Sequence, residues 1–94
     1  MAEPVELSAG QVDLLASLKA LRMRLARERG VPAYVVFNDC SLLEMAQLQP
    51  MSLTAFAEIN GVGARKLEEF GEFFLATINE AAVFQADDHQ ENSP

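Results

Sequence analysis

Tryptophan is absent from this 94-residue sequence, and cysteine, histidine and tyrosine occur once each, as Cys40, His89 and Tyr34. A lone cysteine excludes an intramolecular disulfide, and a reducing, cytoplasmic setting is the expectation. With its one histidine far along the chain, Cys40 has no partner to activate it as a nucleophile. It reads instead as a small buried residue near a helix start, and no cysteine–histidine spacing matches a zinc site. No apolar run approaches the roughly 18 residues that point to a membrane span. The first residues, MAEPVE, carry two acids and no basic flank, unlike a secretory signal. Positive charge is scarce as well: seven lysines and arginines face fourteen acids, a net charge of −7.

What charge there is lies unevenly. The ends hold Glu3, Glu6, Asp87, Asp88 and Glu91 with no basic residue. Residues 12–38 carry Lys19, Arg22, Arg24, Arg27 and Arg29 against Asp13 and Glu28, a net +3. Residues 39–83 carry Arg65 and Lys66 against seven acids, a net −5. The body is therefore a basic first segment joined to an acidic remainder, which the whole-chain value conceals.

Half of the residues are hydrophobic, enough for one small domain with a modest core. Residues 1–10 read as a flexible linker, 11–84 as the folded domain, and 85–94, polar and acidic, as a disordered tail. Leu14, Leu18, Leu21 and Leu25 are spaced four, three and four apart, which predicts an amphipathic helix over 12–29. Gly30 is its stop, with Arg27 and Arg29 favourably placed in the last turn and Pro32 blocking continuation. The stretch PAYVVF favours a strand locally, but no second strand exists to pair with it, so it reads as an extended connector on the core. Asp39 or Ser41 is expected to cap a helix holding Leu42, Leu43, Met45 and Ala46, and Pro50 to end it. Ser52 then caps a short helix that turns Phe56 and Ile59 inward. From Ala64 onwards Leu67, Phe70, Phe74, Leu75 and Ile78 form another apolar stripe, which Gly71 is expected to divide in two. The expected fold is all-α, a compact bundle of four to five short helices.

Between the last two segments stands NGVG, followed by Ala64, Arg65 and Lys66. One residue between the glycines, and no serine or threonine after Lys66, excludes the nucleotide loop GxxxxGK[ST]. The pattern fails GxGxxG too. Two readings remain. Amides at the helix start, with Arg65 and Lys66, can hold one backbone phosphate. Alternatively, Asn60 and Gly61 only supply the positive φ of a reversal, and Gly63 lets the helices pack closely.

In order along the chain stand Leu21-Arg22, Ala26, Pro32-x-Tyr34-x-Val36-Phe37, Asp39, Leu42, then Ile59-x-Gly61-Val62-Gly63 with Lys66 and Gly71. This combination, covering 14–78, resembles the HRDC domain, named for helicases and RNase D, and is most similar to that of bacterial RecQ-type DNA helicases. The resemblance implies a non-catalytic accessory domain of an ATP-dependent DNA helicase acting in replication, recombination or repair. It implies weak contact with single-stranded or structured DNA, a motor elsewhere in the parent chain, and a nucleoid-associated place in the bacterial cytoplasm. No cofactor, metal or membrane is expected, and the domain is expected to be a monomer.

The candidate nucleic-acid residues are Lys19, Arg24, Arg27, Tyr34, Gly61, Gly63, Arg65 and Lys66. Tyr34 is either an exposed platform for a base or half-buried on the first helix with its hydroxyl at the surface. Arg22 lies beside the leucine stripe, so its stem is packed and its head either snorkels or pairs with an acid. The competing assignment is a protein-interaction or intramolecular regulatory module. There Glu44, Glu58, Glu68, Glu69, Glu72 and Glu80 dock on other domains of the parent helicase or on a basic protein. Glu68 and Glu72 share a helical face, which reads as a solvated acidic surface in the absence of further metal ligands.

Overall fold

The computed structural model describes residues 6–91, with side chains as far as residue 83. Among the described residues there are five helices and no strand: α1 (Ala9–Arg29), α2 (Ala33–Val36), α3 (Asp39–Leu48), α4 (Leu53–Phe56) and α5 (Ala64–Glu91). The first half of the expected linker and residues 92–94 of the expected tail lie outside that range.

α1 starts earlier than the leucine spacing predicts because Ser8 and Gln11 form a capping box. The Ser8 hydroxyl accepts from the Gln11 N–H at 3.2 Å, and the Ser8 N–H donates to Gln11 Oε1 at 2.9 Å. At the other end Gly30 takes a left-handed φ of 66°. Its N–H donates to the Arg27 carbonyl and that of Val31 to the Ala26 carbonyl, a Schellman closure.

The connector corrects the extended reading: residues 33–36 form one helical turn, closed by the Val35 N–H on the Pro32 carbonyl at 3.0 Å. Pro32 presets the entry, and the β-branched run is too short to impose its own preference without a partner strand. α3 is capped by Asn38 rather than Asp39 or Ser41; Asn38 Oδ1 accepts from the Ser41 N–H at 2.8 Å. Gln49, at φ 47°, ends α3 in the left-handed conformation just before Pro50. Ser52 caps α4 as expected.

Gly71 does not divide the last stripe. α5 runs through it without a break, and a Cβ there would lie 3.0 Å from Leu67 Cδ1 and 3.4 Å from Leu53 Cδ2. The missing side chain lets α4 press onto α5, and that packing outweighs the roughly 1 kcal/mol helical penalty of glycine. No glycine or proline occurs between Gly71 and Pro94. The α5 backbone accordingly stays helical to Glu91, past residue 84 where the sequence reading ended the domain. With α1 and α5 at 21 and 28 residues, the bundle is two long helices clasping three short ones.

Phe37 is the hub of the core. It follows α2 in extended conformation and is fully buried. Its ring meets Phe56, Phe70 and Phe74 edge-on, with centroids 6.1, 6.0 and 5.0 Å away. Each such pair adds about 0.5–1.5 kcal/mol beyond area burial. The four leucines of α1, then Val36, Leu42, Met45, Ile59 and Ile78, close around it.

Candidate nucleic-acid interface

The candidate side chains come from three elements, α1, α2 and α5. The Gly30 reversal turns the chain from the end of α1 into α2, where Tyr34 stands 68% exposed. Of the two readings for this side chain, the half-buried one is therefore wrong: α2 is one turn long and turns Val36 inward and Tyr34 outward. From α1, the Arg29 guanidinium lies over the Phe70 ring, Cζ 4.6 Å from its centroid. From the first turn of α5, Lys66 Nζ lies 5.7 Å from the centroid of Phe37. The two cations thus cover neighbouring rings of one aromatic cluster, and cation–π attraction holds each near the surface while leaving hydrogens free for an anion.

Arg22 shows how the basic side is braced. Its side chain is largely buried, and its Nη1 donates to the Phe37 carbonyl at 3.0 Å and pairs with Asp39 Oδ1 at 2.8 Å. The arginine is paired with an acid, one of the two expected outcomes. The hydrogen bond from Arg22 and then its charge hold the Asp39 carboxyl below its ordinary value; desolvation opposes them, and the charge of Lys19 adds a lesser lowering.

The NGVG reversal is pinned to α3. Gly61 has φ 90°, and a Cβ there would run into the Ser41 hydroxyl. That hydroxyl, buried, donates to the Asn60 carbonyl at 2.6 Å, while Glu44 Oε1 accepts from the Asn60 N–H at 2.6 Å. Only Gly61 of this turn has the positive φ; Asn60 does not share it. Gly63 is not a close-packing residue either, since a Cβ there meets nothing within 4 Å.

The predicted cations do not all share one surface. Arg65 and Arg27 are exposed, and Lys19 is exposed on the Asp39 side of α1. Arg24 instead pairs loosely with Glu28 at 3.8 Å and lines a groove between α1 and α5. Arg29 was missed as a candidate, although its place seven residues after Arg22 puts it on the same helical face. Of the acids, Glu44 is committed to the Asn60 amide and Glu58 is exposed outside the groove, whereas Glu68, Glu69, Glu72 and Glu80 line it. Cys40 is exposed, not buried: in the first turn of α3 it points away from the face that carries Leu42 and Met45. Among the described residues no three histidine, cysteine or acidic side chains converge as a metal-binding group, and no helix is long and apolar enough to cross a membrane.

These elements define a small helical domain built on an aromatic hub, with a basic, aromatic surface at one site and an acidic groove at another. The HRDC domain family model matches residues 11–78. Over 68 residues the chain is 50% identical to the ATP-dependent DNA helicase RecQ of Haemophilus influenzae, covering 72% of this chain and 11% of that protein. Over 75 residues it is 45% identical to the ATP-dependent DNA helicase UvrD2 of Mycobacterium tuberculosis, covering 78% of this chain and 11% of that protein. The solved D. radiodurans RecQ HRDC domain 3 superposes with a TM-score of 0.74 at 38% identity, covering 77% of this chain and 95% of that one. The chain belongs to the HRDC domain family, a non-catalytic domain of RecQ helicases. It spans about a tenth of the length of the helicases it resembles.

Proposed function

We propose that this domain is the accessory HRDC module of a RecQ-type ATP-dependent DNA helicase, and that it touches single-stranded DNA weakly through Tyr34 and the cations around the Phe37 cluster. The observation that carries this reading is the exposed Tyr34 ring on the single helical turn that follows Arg29 and precedes Phe37 in the chain, with Arg29 and Lys66 lying over rings of the Phe37 cluster. A base stacked on it gains about 1–3 kcal/mol, with no sequence preference required. Arg27, Arg29, Arg65 and Lys66 supply phosphate contacts, and the exposed Gly61 and Gly63 precede the last two in the chain. The acidic remainder of the chain opposes a phosphate backbone, so the contact is weak and tunes the engagement of a motor located elsewhere in the parent. The parent's place is the bacterial cytoplasm.

The test is an amide-resolved NMR titration with a short single-stranded oligonucleotide at two salt concentrations. Shifts are expected at Tyr34, Arg29 and the 61–66 amides. If about three phosphates are neutralised, affinity falls roughly 20-fold between 50 and 200 mM salt. Tyr34→Ala is expected to weaken binding by about tenfold with the folded spectrum intact. Binding that ignores salt, or that survives Tyr34→Ala unchanged, overturns the assignment.

A further inference from the structure

The groove between α1 and α5 has a volume of about 1240 Å³ and lies apart from the cation–ring contacts of the basic surface, sharing Leu14 and Leu21 with the core. Its floor is apolar: Leu14, Leu21, Ala76 and Ala81 lie along it, and Phe73 projects into it with 47% of its surface exposed. Its walls are acidic, with Asp13 from α1 and Glu68, Glu69, Glu72 and Glu80 from α5 against the one cation Arg24. Arg24 faces Glu28 as well, which leaves its charge divided. Along α1 the groove runs from Gly10 to Arg24, about 21 Å at ~1.5 Å per residue, the length of roughly four helical turns.

We infer that this groove is a docking site for a basic amphipathic helix presented by a partner protein. An apolar strip beside a carboxylate rim on α5, with Asp13 alone facing it from α1, fits a helix with a leucine-like stripe flanked by lysines or arginines, the helix-in-groove mode of recognition. The hydrophobic stripe takes the exposed Phe73 and Ala76 out of water, and the flanking cations meet the α5 carboxylates. Within these 94 residues the one basic, leucine-striped helix is α1, whose stripe is already buried in the core. The chain's seven basic residues all lie in α1 and at the start of α5, and neither end of the sequence carries one. The docking is independent of the DNA reading, which uses Tyr34 and the Phe37 cluster.

The experiment titrates the isotope-labelled 94-residue chain with a 16-residue peptide of leucine and lysine, leucines at helical spacing, and with a scrambled peptide of the same composition. Shifts confined to the Gly10–Arg24 and Glu68–Ala81 lining are expected for the patterned peptide alone. Phe73→Ser and Glu72→Lys, each checked for an unchanged amide spectrum, weaken it at least tenfold. Glu58→Lys, an exposed acid outside the groove, leaves affinity within about twofold. Equal binding of the scrambled peptide, equal loss in Glu58→Lys, or the same shifts with spermine shows general attraction to acid and overturns the proposal. So does concentration-dependent dimerisation in sedimentation with shifts at these residues, which makes a second copy the occupant.

Discussion

The two surfaces differ in how their aromatic rings are used. At the basic surface the rings of Phe37 and Phe70 are buried, and Lys66 and Arg29 lie over them; the side chain left exposed is Tyr34. In the acidic groove Phe73 itself is half exposed, and carboxylates surround rather than cover it. A cation can rest on an aromatic face, whose electrons attract it, whereas a carboxylate is repelled by the same face. The basic surface thus closes its own apolar layer and presents a polar skin, while the groove leaves Phe73 and Ala76 open. The same physics separates a surface suited to phosphate and base from one suited to a hydrophobic stripe.

The largest expected effect sharpens that contrast. Phe37→Ala removes the hub ring and leaves a cavity at the centre of three edge-on contacts, at a cost of about 3–5 kcal/mol. For a domain of this size that lowers the midpoint of thermal unfolding by at least about 12 °C. Phe73→Ser in the groove is expected to cost below about 1 kcal/mol, since much of that ring is already in water. Urea denaturation of the two variants side by side checks this, and similar costs would erase the distinction between the two surfaces.

The glycines of the reversal give the next effect down. Gly61→Ala forces a left-handed φ on a residue with a side chain and drives its Cβ towards Ser41, straining the one hydroxyl that ties the turn to α3. A cost of about 1–3 kcal/mol is expected. Gly63→Ala, with open space around its Cβ, is expected to stay within about 0.5 kcal/mol. Equal losses in the two denaturation curves would mean that both glycines set the turn.

These residues also show what the sequence made legible. The leucine spacing of α1 and the Gly30 stop were readable because a helix stripe and its closure are local. So was the family resemblance, because its residues recur in a fixed order. The partner of Gly71 was not, since Leu53 lies eighteen residues earlier and only packing brings it near. Arg22 is legible as a packed or paired arginine, but its acid, Asp39, reads in the sequence as one of two candidate helix caps with Ser41, a duty that Asn38 performs. The exposure of Tyr34 required the unforeseen turn α2. The groove required knowing that α1 and α5 lie side by side, which no spacing within either helix reveals.

The smallest expected effect concerns Asp39, an acid retained on the basic side. Its side chain is 81% exposed and its partner Arg22 only 13%, so solvent screens much of the attraction and the contribution to stability is minor. Its sign is nevertheless fixed. Arg22 and Lys19 lower the carboxyl's pKa in the folded state, so the unfolded chain takes up the proton first as pH falls. The contribution is present in full above the unfolded value of about 3.9 and is lost as pH drops through the lower folded value. Asp39→Asn is therefore expected to be slightly less stable than the parent at neutral pH, with the two curves converging in acid. Urea midpoints measured from pH 7 down to pH 2 read this directly. A constant offset at every pH would show that Asp39 acts through packing and hydrogen bonding rather than through charge. Arg22 would then owe its place to the Phe37 carbonyl, and the basic surface would be braced from its core alone.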